Sequence, residues 1–210
     1  LLDSSGVRSN LFAEVNPNPT QDNVMRARSV FRSGGHDSII AIGGGSGMDA
    51  GKAVALTAGS DLDLWAYDYD KNPPEMSPGA YFPSLLCVPT TSGTGAETDS
   101  TAMITYTNRA MKFCVWHPLL KPRLALLDPE LTLGLPRNLT AWTGIDSLVH
   151  ALESYFVPRT HPMCDGIALQ ALKIIRTWLP RVVIEPYNLE ARGAMQIGSC
   201  TVSYTHLRAH

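Results

Sequence analysis

The chain is predicted to form an α/β domain with a parallel sheet, followed by the start of an all-helical domain. Apolar runs at 39–42 and 85–88 each end in a turn rich in glycine or hydroxyl residues. A helical pattern separates the two runs, and such alternation favours a parallel sheet with ligands at the carboxyl ends of its strands. From about residue 140 to Val183 helical patterning dominates.

Length and composition restrict the partners of this protein. The 210 residues are 44% hydrophobic and 17% charged, with a formal net charge of −2. This balance gives no attraction to nucleic acid or to an anionic membrane, and no apolar run approaches the roughly 20 residues of a membrane span. The four cysteines form no C-x-x-C pair, which argues against a thiolate zinc site and a disulfide scaffold. We therefore expect a cytoplasmic protein that acts on small molecules.

Local signals place the elements of the first half. Thr20 is positioned to cap a helix over 21–33, a strand follows at 38–42, and a helix runs from Met48 to Ala58. Residues 61–82 show no sustained period, so we expect a long loop with one short helix.

The sequence pattern changes in the later part of the chain. Residues 101–128 are expected to form a β-excursion with strand-like runs at 103–106, 112–115 and 124–127. A boundary near Pro136-Arg137 then separates an α/β domain of residues 1–137 from the first part of a helical domain at 138–199.

Three consecutive glycines follow the first apolar run. Residues 43–52 read GGGSGMDAGK, and the absence of Cβ atoms lets backbone N–H groups approach a pyrophosphate while the positive end of the next helix faces it. Gly45, Gly47 and Ala50 satisfy the spacing G-x-G-x-x-G/A of dinucleotide sites. An ordinary tight turn between strand and helix explains the same residues.

The second apolar run is followed by a turn with several hydroxyl groups. Residues 89–95 read PTTSGTG, which offers neutral donors to phosphate or ribose oxygens. The alternative is a polar loop whose Ser and Thr residues cap a helix near Ala96. Two such turns after two buried strands favour ligand binding more than either does alone.

A carboxylate and an imidazole lie one helical turn apart in the helical half. Asp146 and His150 have the i, i+4 spacing that directs both side chains toward one point, so they could share one metal ion. The alternative is a pair that hydrogen-bonds at the helix border, and this spacing alone favours it. Two ligands are also too few, because catalytic metal sites normally have at least three protein ligands.

Several motifs together resemble the iron-containing alcohol dehydrogenase family, and their order and spacing carry the resemblance. They are VNPNPT at 15–20, IIAIGGGSGMDAGKA at 39–53, VPTTSGTGAE at 88–97, LLDPELTLGLP at 126–136 and TAWTGIDSLVHALESY at 140–155. The resemblance implies an N-terminal dinucleotide-binding domain, a C-terminal all-helical domain and a divalent metal between them, an architecture shared with dehydroquinate synthase. It further implies hydride transfer between an alcohol and NAD or NADP, with Fe²⁺ or Zn²⁺ as the metal.

The resemblance also assigns residues. It implies that Asp146 and His150 are metal ligands through which catalysis proceeds, and it favours this role over the hydrogen-bonded pair. The glycines and Ser46 would meet the pyrophosphate, the threonines and Lys112 would surround phosphates and ribose, and Asn18 would lie near the adenosine. The implied cofactor-binding set is Asn18, Gly44, Gly45, Ser46, Asp49, Thr90, Thr91, Thr94 and Lys112.

Two departures from the family pattern limit the resemblance. The family's other two metal ligands are histidines in later helices, and residues 200–210 do not look like that segment, so we expect a non-native tail there. His206 and His210 are therefore not assigned as ligands. The family's acidic residue for the adenine ribose falls before residue 1, so NAD and NADP are not distinguished.

Two alternative functions stay open at this point. One is an NAD- and metal-dependent cyclase that resembles dehydroquinate synthase, although Ser46 and Lys52 fit the dehydrogenase pattern better. The other is a nucleotide-binding fragment without catalysis, since half of the metal ligands are missing. For a full-length enzyme the resemblance implies a small alcohol or aldehyde substrate and a homo-oligomer.

Overall fold

A computed structural model describes residues 2–75, 81–158 and 161–206, with side chains described through Ser203. The strands are β1 (Ser38–Gly43), β2 (Ser84–Pro89), β3 (Thr101–Tyr106), β4 (Met111–Trp116) and β5 (Leu124–Ala125). The α-helices are α1 (Gln21–Gly34), α2 (Gly45–Ala58), α3 (Arg137–Phe156), α4 (Pro162–Ile184) and α5 (Leu189–His206).

A parallel sheet in the order β1-β2-β5 forms the centre of the first half. The register pairs Ser38 with Ser84 and Gly43 with Pro89. The glycine turn (residues 43–45) and the hydroxyl turn (residues 89–95) therefore leave the same edge of the sheet. The predicted parallel sheet with flanking helices, followed by a helical segment, is confirmed. The run at 124–127 was wrongly grouped with the β-excursion, because only Leu124–Ala125 is strand and it pairs with β2.

The predicted helix after Thr20 is confirmed. The Thr20 hydroxyl accepts a hydrogen bond from the Asn23 backbone N–H, and the Asn23 side chain accepts one from the Thr20 N–H. This capping box satisfies two of the backbone donors that a helix N-terminus leaves unpaired. Gly35, with φ of 60°, ends the helix in the left-handed conformation.

Helix α2 begins earlier than the sequence indicated. Its N-cap is Gly44 and the helix starts at Gly45, three residues before the predicted start at Met48. Low helix propensity of glycine argues against helix at Gly45 and Gly47. Close packing of α2 on β1 favours glycine at position 47 all the same, because a Cβ there would lie 3.1 Å from the Ile42 carbonyl oxygen.

The first two runs of the predicted β-excursion form an antiparallel hairpin beside the parallel sheet. Strands β3 and β4 pair antiparallel, with Thr101 opposite Trp116 and Thr105 opposite Lys112. A short 3-10 helix at Thr107–Arg109 forms the turn. The predicted short helix within 61–82 is also present, as a 3-10 helix at Leu64–Tyr67, and residues 76–80 of that loop lie outside the described residues.

The second half is helical from Arg137 onward. Helices α3, α4 and α5 enclose a core of small and aliphatic side chains, and the start of α3 lies three residues before the predicted helical pattern. The buried members of this core are Ala151, Ala171, Ile175, Val182, Ala191, Met195 and Val202. Across the described ranges, every helix lacks the combination of length and apolarity that a bilayer span requires.

Candidate functional site

The glycine turn is a junction between strand and helix whose first backbone donors are not capped by a side chain. Gly43 ends β1 with φ of 153°, and Gly44 is the extended N-cap of α2 without a capping side chain. The first N–H groups of a helix have no partner inside the helix, and they carry the positive end of its dipole. The turn can therefore hold an anion such as a phosphate through its backbone.

The hydroxyl turn lies against the glycine turn. The Thr90 backbone N–H donates to the Gly43 carbonyl oxygen at 2.9 Å, which extends the pairing of β1 and β2. A Cβ on Gly44 would lie 3.2 Å from Cγ2 of Thr91, and one on Gly45 would lie 3.0 Å from Cγ2 of Thr94. The glycine turn and the hydroxyl turn are therefore in contact at Gly44 and Gly45, where an added Cβ would be too close to a threonine side chain.

Asn18 and Ser46 join an N-terminal loop to this site. The Asn18 backbone N–H donates to Oγ of Ser46 at 3.1 Å, and the Asn18 carbonyl oxygen accepts from Oγ1 of Thr105 at 3.2 Å. Asn18 has φ of 58°, a left-handed conformation that asparagine tolerates better than most residues. The structure therefore places Asn18 next to the glycine turn.

Asp49 lies one turn into α2, beneath the glycine turn. Burial raises its pKa to about 7, although the charges of Lys52 and Lys112 and a hydrogen bond from the Met103 backbone act in the opposite direction. Lys112 is exposed on β4, opposite Thr105. Lys112 is therefore near α2, and the hydrogen bond from Met103 links Asp49 to strand β3 of the hairpin.

Sequence reasoning missed a buried polar cluster around Lys52. Lys52 is fully buried, and its Nζ lies 2.5 Å from Oδ1 of Asp99 and 3.0 Å from the Thr101 carbonyl oxygen. Glu97 is 3% exposed, and burial raises its pKa to about 7. One sequence feature could have indicated this cluster: Lys52 stands among small apolar residues, three positions after Asp49.

The predicted metal-ligand pair lies on α3. Nε2 of His150 is 3.8 Å from Oδ1 of Asp146, and the side chains are 26% and 44% exposed. This distance is too long for a hydrogen bond between them, and both side chains lie on one face of α3. Among the described residues there is no group of three or more His, Cys, Asp or Glu side chains that could hold a metal. The pair offers one carboxylate and one imidazole.

The hydroxyl turn is attached to the helical half. The Ser147 hydroxyl of α3 donates to the Gly93 carbonyl oxygen at 3.0 Å and lies 3.3 Å from that of Ser92, and the Ser199 hydroxyl of α5 also donates to the Gly93 carbonyl oxygen. The Gln196 side chain donates to the Pro89 carbonyl oxygen. The helix that carries Asp146 and His150 therefore contacts the turn that borders the glycine turn.

Two family models cover most of this chain. The model described as "Iron-containing alcohol dehydrogenase" matches residues 1–129, and the model described as "Fe-containing alcohol dehydrogenase family, C-terminal" matches residues 140–205. The second match includes residues 200–205 of the expected tail, and α5 continues through His206. The origin of residues 200–210 stays a prediction, and 207–210 lie outside the described residues.

Similar proteins carry the names of dehydrogenases and reductases. The chain is 40% identical to a 4-hydroxybutyrate dehydrogenase of Cupriavidus necator and 37% identical to a choline dehydrogenase of Bacillus subtilis, each over 92% of this chain. These matches cover 50% and 48% of the two relatives, so the chain spans about half of their length.

Solved structures share the fold. A sulfoacetaldehyde reductase from Bifidobacterium kashiwanohense in complex with NAD⁺ has a TM-score of 0.88 and 32% identity, covering 96% of this chain and 53% of that protein. A 1,3-propanediol oxidoreductase has a TM-score of 0.90 and 32% identity, covering 98% of this chain and 52% of that protein. The match extends across both halves of the molecule.

Proposed function

Because the chain belongs to the iron-containing alcohol dehydrogenase family, we propose that the full-length protein is a metal-dependent alcohol dehydrogenase. It would transfer a hydride between an alcohol and an aldehyde or ketone with NAD(P) as the partner. The carrying observation is the placement of the glycine turn: it meets a hydroxyl turn that is hydrogen-bonded to α3, the helix of Asp146 and His150.

The first half would bind the cofactor. Backbone N–H groups at Gly44 and Gly45 would hold the pyrophosphate, because no capping side chain occupies that end of α2. Thr90, Thr91 and Thr94 would add hydroxyl contacts, while Asn18 would lie at the adenosine side. Ser46 holds the backbone of Asn18 through its hydroxyl, which orients that loop toward the turn. When bound, NAD(P) supplies the hydride acceptor or donor.

Asp49 and Lys112 would act on the same cofactor from the hairpin side. The exposed ammonium group of Lys112 offers a positive charge to a phosphate or to ribose oxygens. The charges of Lys112 and of buried Lys52 both lower the pKa of Asp49, against the effect of burial. We infer that Asp49 influences cofactor binding mainly by keeping α2 and the hairpin together.

The second half would hold the metal. Asp146 and His150 offer one carboxylate oxygen and one imidazole nitrogen, ligand types that suit Fe²⁺ and Zn²⁺. A divalent ion in this place would act as a Lewis acid on the substrate oxygen. The remaining ligands would be histidines of later helices outside this sequence.

Other features of the full-length protein are also proposals. The substrate would be a small alcohol or aldehyde, and either NAD or NADP would serve. We expect a cytoplasmic homo-oligomer without nucleic-acid or membrane partners. The relatives named above are dehydrogenases or a reductase, which favours hydride transfer over the cyclase alternative.

Calorimetric titration of the 210-residue chain with NAD⁺ and NADP⁺ tests the cofactor site. We expect saturable binding of at least one of them. Equilibrium dialysis with Zn²⁺ tests the second site: His150→Gln should weaken the binding, whereas His161→Gln, at an exposed position before α4, should not. Tight metal binding by the chain alone would contradict the expectation of further ligands outside it.

Turnover measurements decide between the candidate functions. A longer chain that includes the later helices should oxidise alcohols from a panel with NAD⁺ or NADP⁺ when loaded with Fe²⁺ or Zn²⁺. Saturable nucleotide binding without turnover by that longer, metal-loaded chain would favour a binding protein. Lyase activity without net reduction of the nucleotide would favour the cyclase.

A further inference from the structure

Ser147 follows one of the proposed metal ligands, but its side chain points into the protein. It is fully buried, and its Oγ donates to the Gly93 carbonyl oxygen at 3.0 Å and lies 3.3 Å from that of Ser92. A serine hydroxyl has a single donor, so the shorter contact with Gly93 is the main bond. This bond joins α3 to the middle of the hydroxyl turn.

The same carbonyl is held from a second helix. Oγ of Ser199 on α5, which is 1% exposed, donates to the Gly93 oxygen at 3.0 Å. A carbonyl oxygen has two lone pairs, and here two hydroxyl groups from two helices use them. Gly93 is buried, so water does not replace these donors. Without them its carbonyl oxygen would be buried without a hydrogen bond, which costs free energy.

Packing supports the hydrogen bonds at this point. A Cβ on Gly93 would lie 2.9 Å from Cβ of Thr143, one helical turn before Ser147. On the other side of the turn, Thr94 lies against Gly45 at the N-terminus of α2. A continuous series of contacts therefore links α3, the hydroxyl turn and the glycine turn.

We propose that Ser147 is a positioning residue for the nucleotide, together with Ser199. By holding the Gly93 carbonyl, the two serines fix Thr91 and Thr94 against the glycine turn, and they set the position of the cofactor relative to the helix of Asp146. The proposal rests on the proposed function, because it assumes that a nucleotide occupies the glycine turn. The Ser147 side chain is fully buried and faces the Gly93 carbonyl oxygen, so its role is one of positioning.

The chain provides a matched control for Ser147. Ser154 lies on the same helix and is 1% exposed, but within the described residues its hydroxyl has no hydrogen-bond partner. Ser154→Ala therefore removes a buried hydroxyl of α3 without affecting the hydroxyl turn. A general effect of shortening a buried serine on α3 would appear in both variants.

The test is calorimetric titration of the folded 210-residue chain with NAD⁺, alongside urea denaturation of each variant. We expect Ser147→Ala and Ser199→Ala each to weaken NAD⁺ binding roughly three- to tenfold, the range for loss of one hydrogen bond. Ser154→Ala should bind NAD⁺ as the unsubstituted chain does. A merely structural role would lower stability and leave the affinity of the folded protein unchanged.

The double variant sharpens the result. Ser147→Ala with Ser199→Ala leaves the buried Gly93 carbonyl without either donor, so we expect a loss of NAD⁺ affinity larger than the product of the two single losses. Unchanged affinity in both single variants and the double variant, while the unsubstituted chain binds NAD⁺, would overturn only this inference. Absence of NAD⁺ binding by the unsubstituted chain would overturn both this inference and the proposed function.

Discussion

The glycine turn and the Asp146–His150 pair differ in what builds them. The glycine turn uses backbone groups at the end of β1 and the start of α2, within a few consecutive residues. The pair consists of two partly exposed side chains on α3, and as a metal site it would need further ligands from elsewhere. A site made of backbone is therefore complete inside a local segment, whereas a side-chain metal site depends on several helices.

The largest effect is expected where α2 packs on β1. A Cβ on Gly51 would lie 2.6 Å from Cβ of Ala41, so Gly51→Ala forces the helix away from the strand. The free energy of unfolding should fall by about 3 kcal/mol in urea denaturation. Gly166, inside α4, has nothing within 4 Å of an added Cβ, and Gly166→Ala should stabilise by about 0.5–1 kcal/mol. An equal loss in the free energy of unfolding for Gly51→Ala and Gly166→Ala would contradict this contrast between the two halves.

The buried carboxylate of Glu97, two residues after the hydroxyl turn, gives a pH-dependent effect of intermediate size. The pKa of Glu97 is raised from 4.5 to about 7 by burial, so the folded protein binds more protons than the unfolded chain between these values. Stability should therefore fall as pH rises through this window. Glu97→Gln removes the contribution of this carboxylate to the pH-dependent loss of stability. Relative to the unsubstituted chain, the variant should therefore gain about 2 kcal/mol in the free energy of unfolding between pH 4.5 and pH 8.

Denaturation at several pH values measures this difference. Glu153→Gln, at an exposed position on α3, is the control from the helical half and should change stability by less than about 0.5 kcal/mol at each pH. A constant difference between Glu97→Gln and the unsubstituted chain from pH 4.5 to pH 8 would refute the raised pKa.

A smaller effect is expected in the backbone-built site itself. A Cβ on Gly45 would lie 3.0 Å from Cγ2 of Thr94, which would press the two turns apart. Gly45→Ala should weaken NAD⁺ binding about tenfold, or roughly 1.4 kcal/mol, by calorimetric titration. The control is Gly134→Ala, since nothing lies within 4 Å of a Cβ there. Unchanged binding by Gly45→Ala would show that this contact does not shape the proposed nucleotide site.

The smallest effect concerns how the helices begin. Thr20 caps α1 through its hydroxyl, whereas α3 follows Pro136, which makes no side-chain cap. Thr20→Ala should lower the free energy of unfolding by about 1 kcal/mol. Thr177 is exposed in α4, and Thr177→Ala should leave stability unchanged or raise it slightly, because alanine has the higher helix propensity. Thermal denaturation of both variants resolves the difference.

Locally specified features were predictable from residues close in the sequence. The capping box at Thr20 and Asn23, the strand before the glycines and the β3–β4 hairpin each depend on neighbouring residues. The start of α2 was misplaced because the glycines before Met48 were assigned to the turn, and the close approach of Gly47 to Ile42 depends on packing that the sequence does not show. The role of Leu124–Ala125 was misjudged because the pattern of a strand does not identify its partner.

The sequence alone determined the alternation of strands and helices, the glycine turn and the spacing of Asp146 and His150, because each follows from backbone preference or short periodicity. Only the tertiary structure decided that Lys52 is buried against Asp99, 47 residues away. It also decided that Ser147 and Ser199 meet at one carbonyl. Burial and convergence depend on how distant elements pack, and no local pattern encodes that packing.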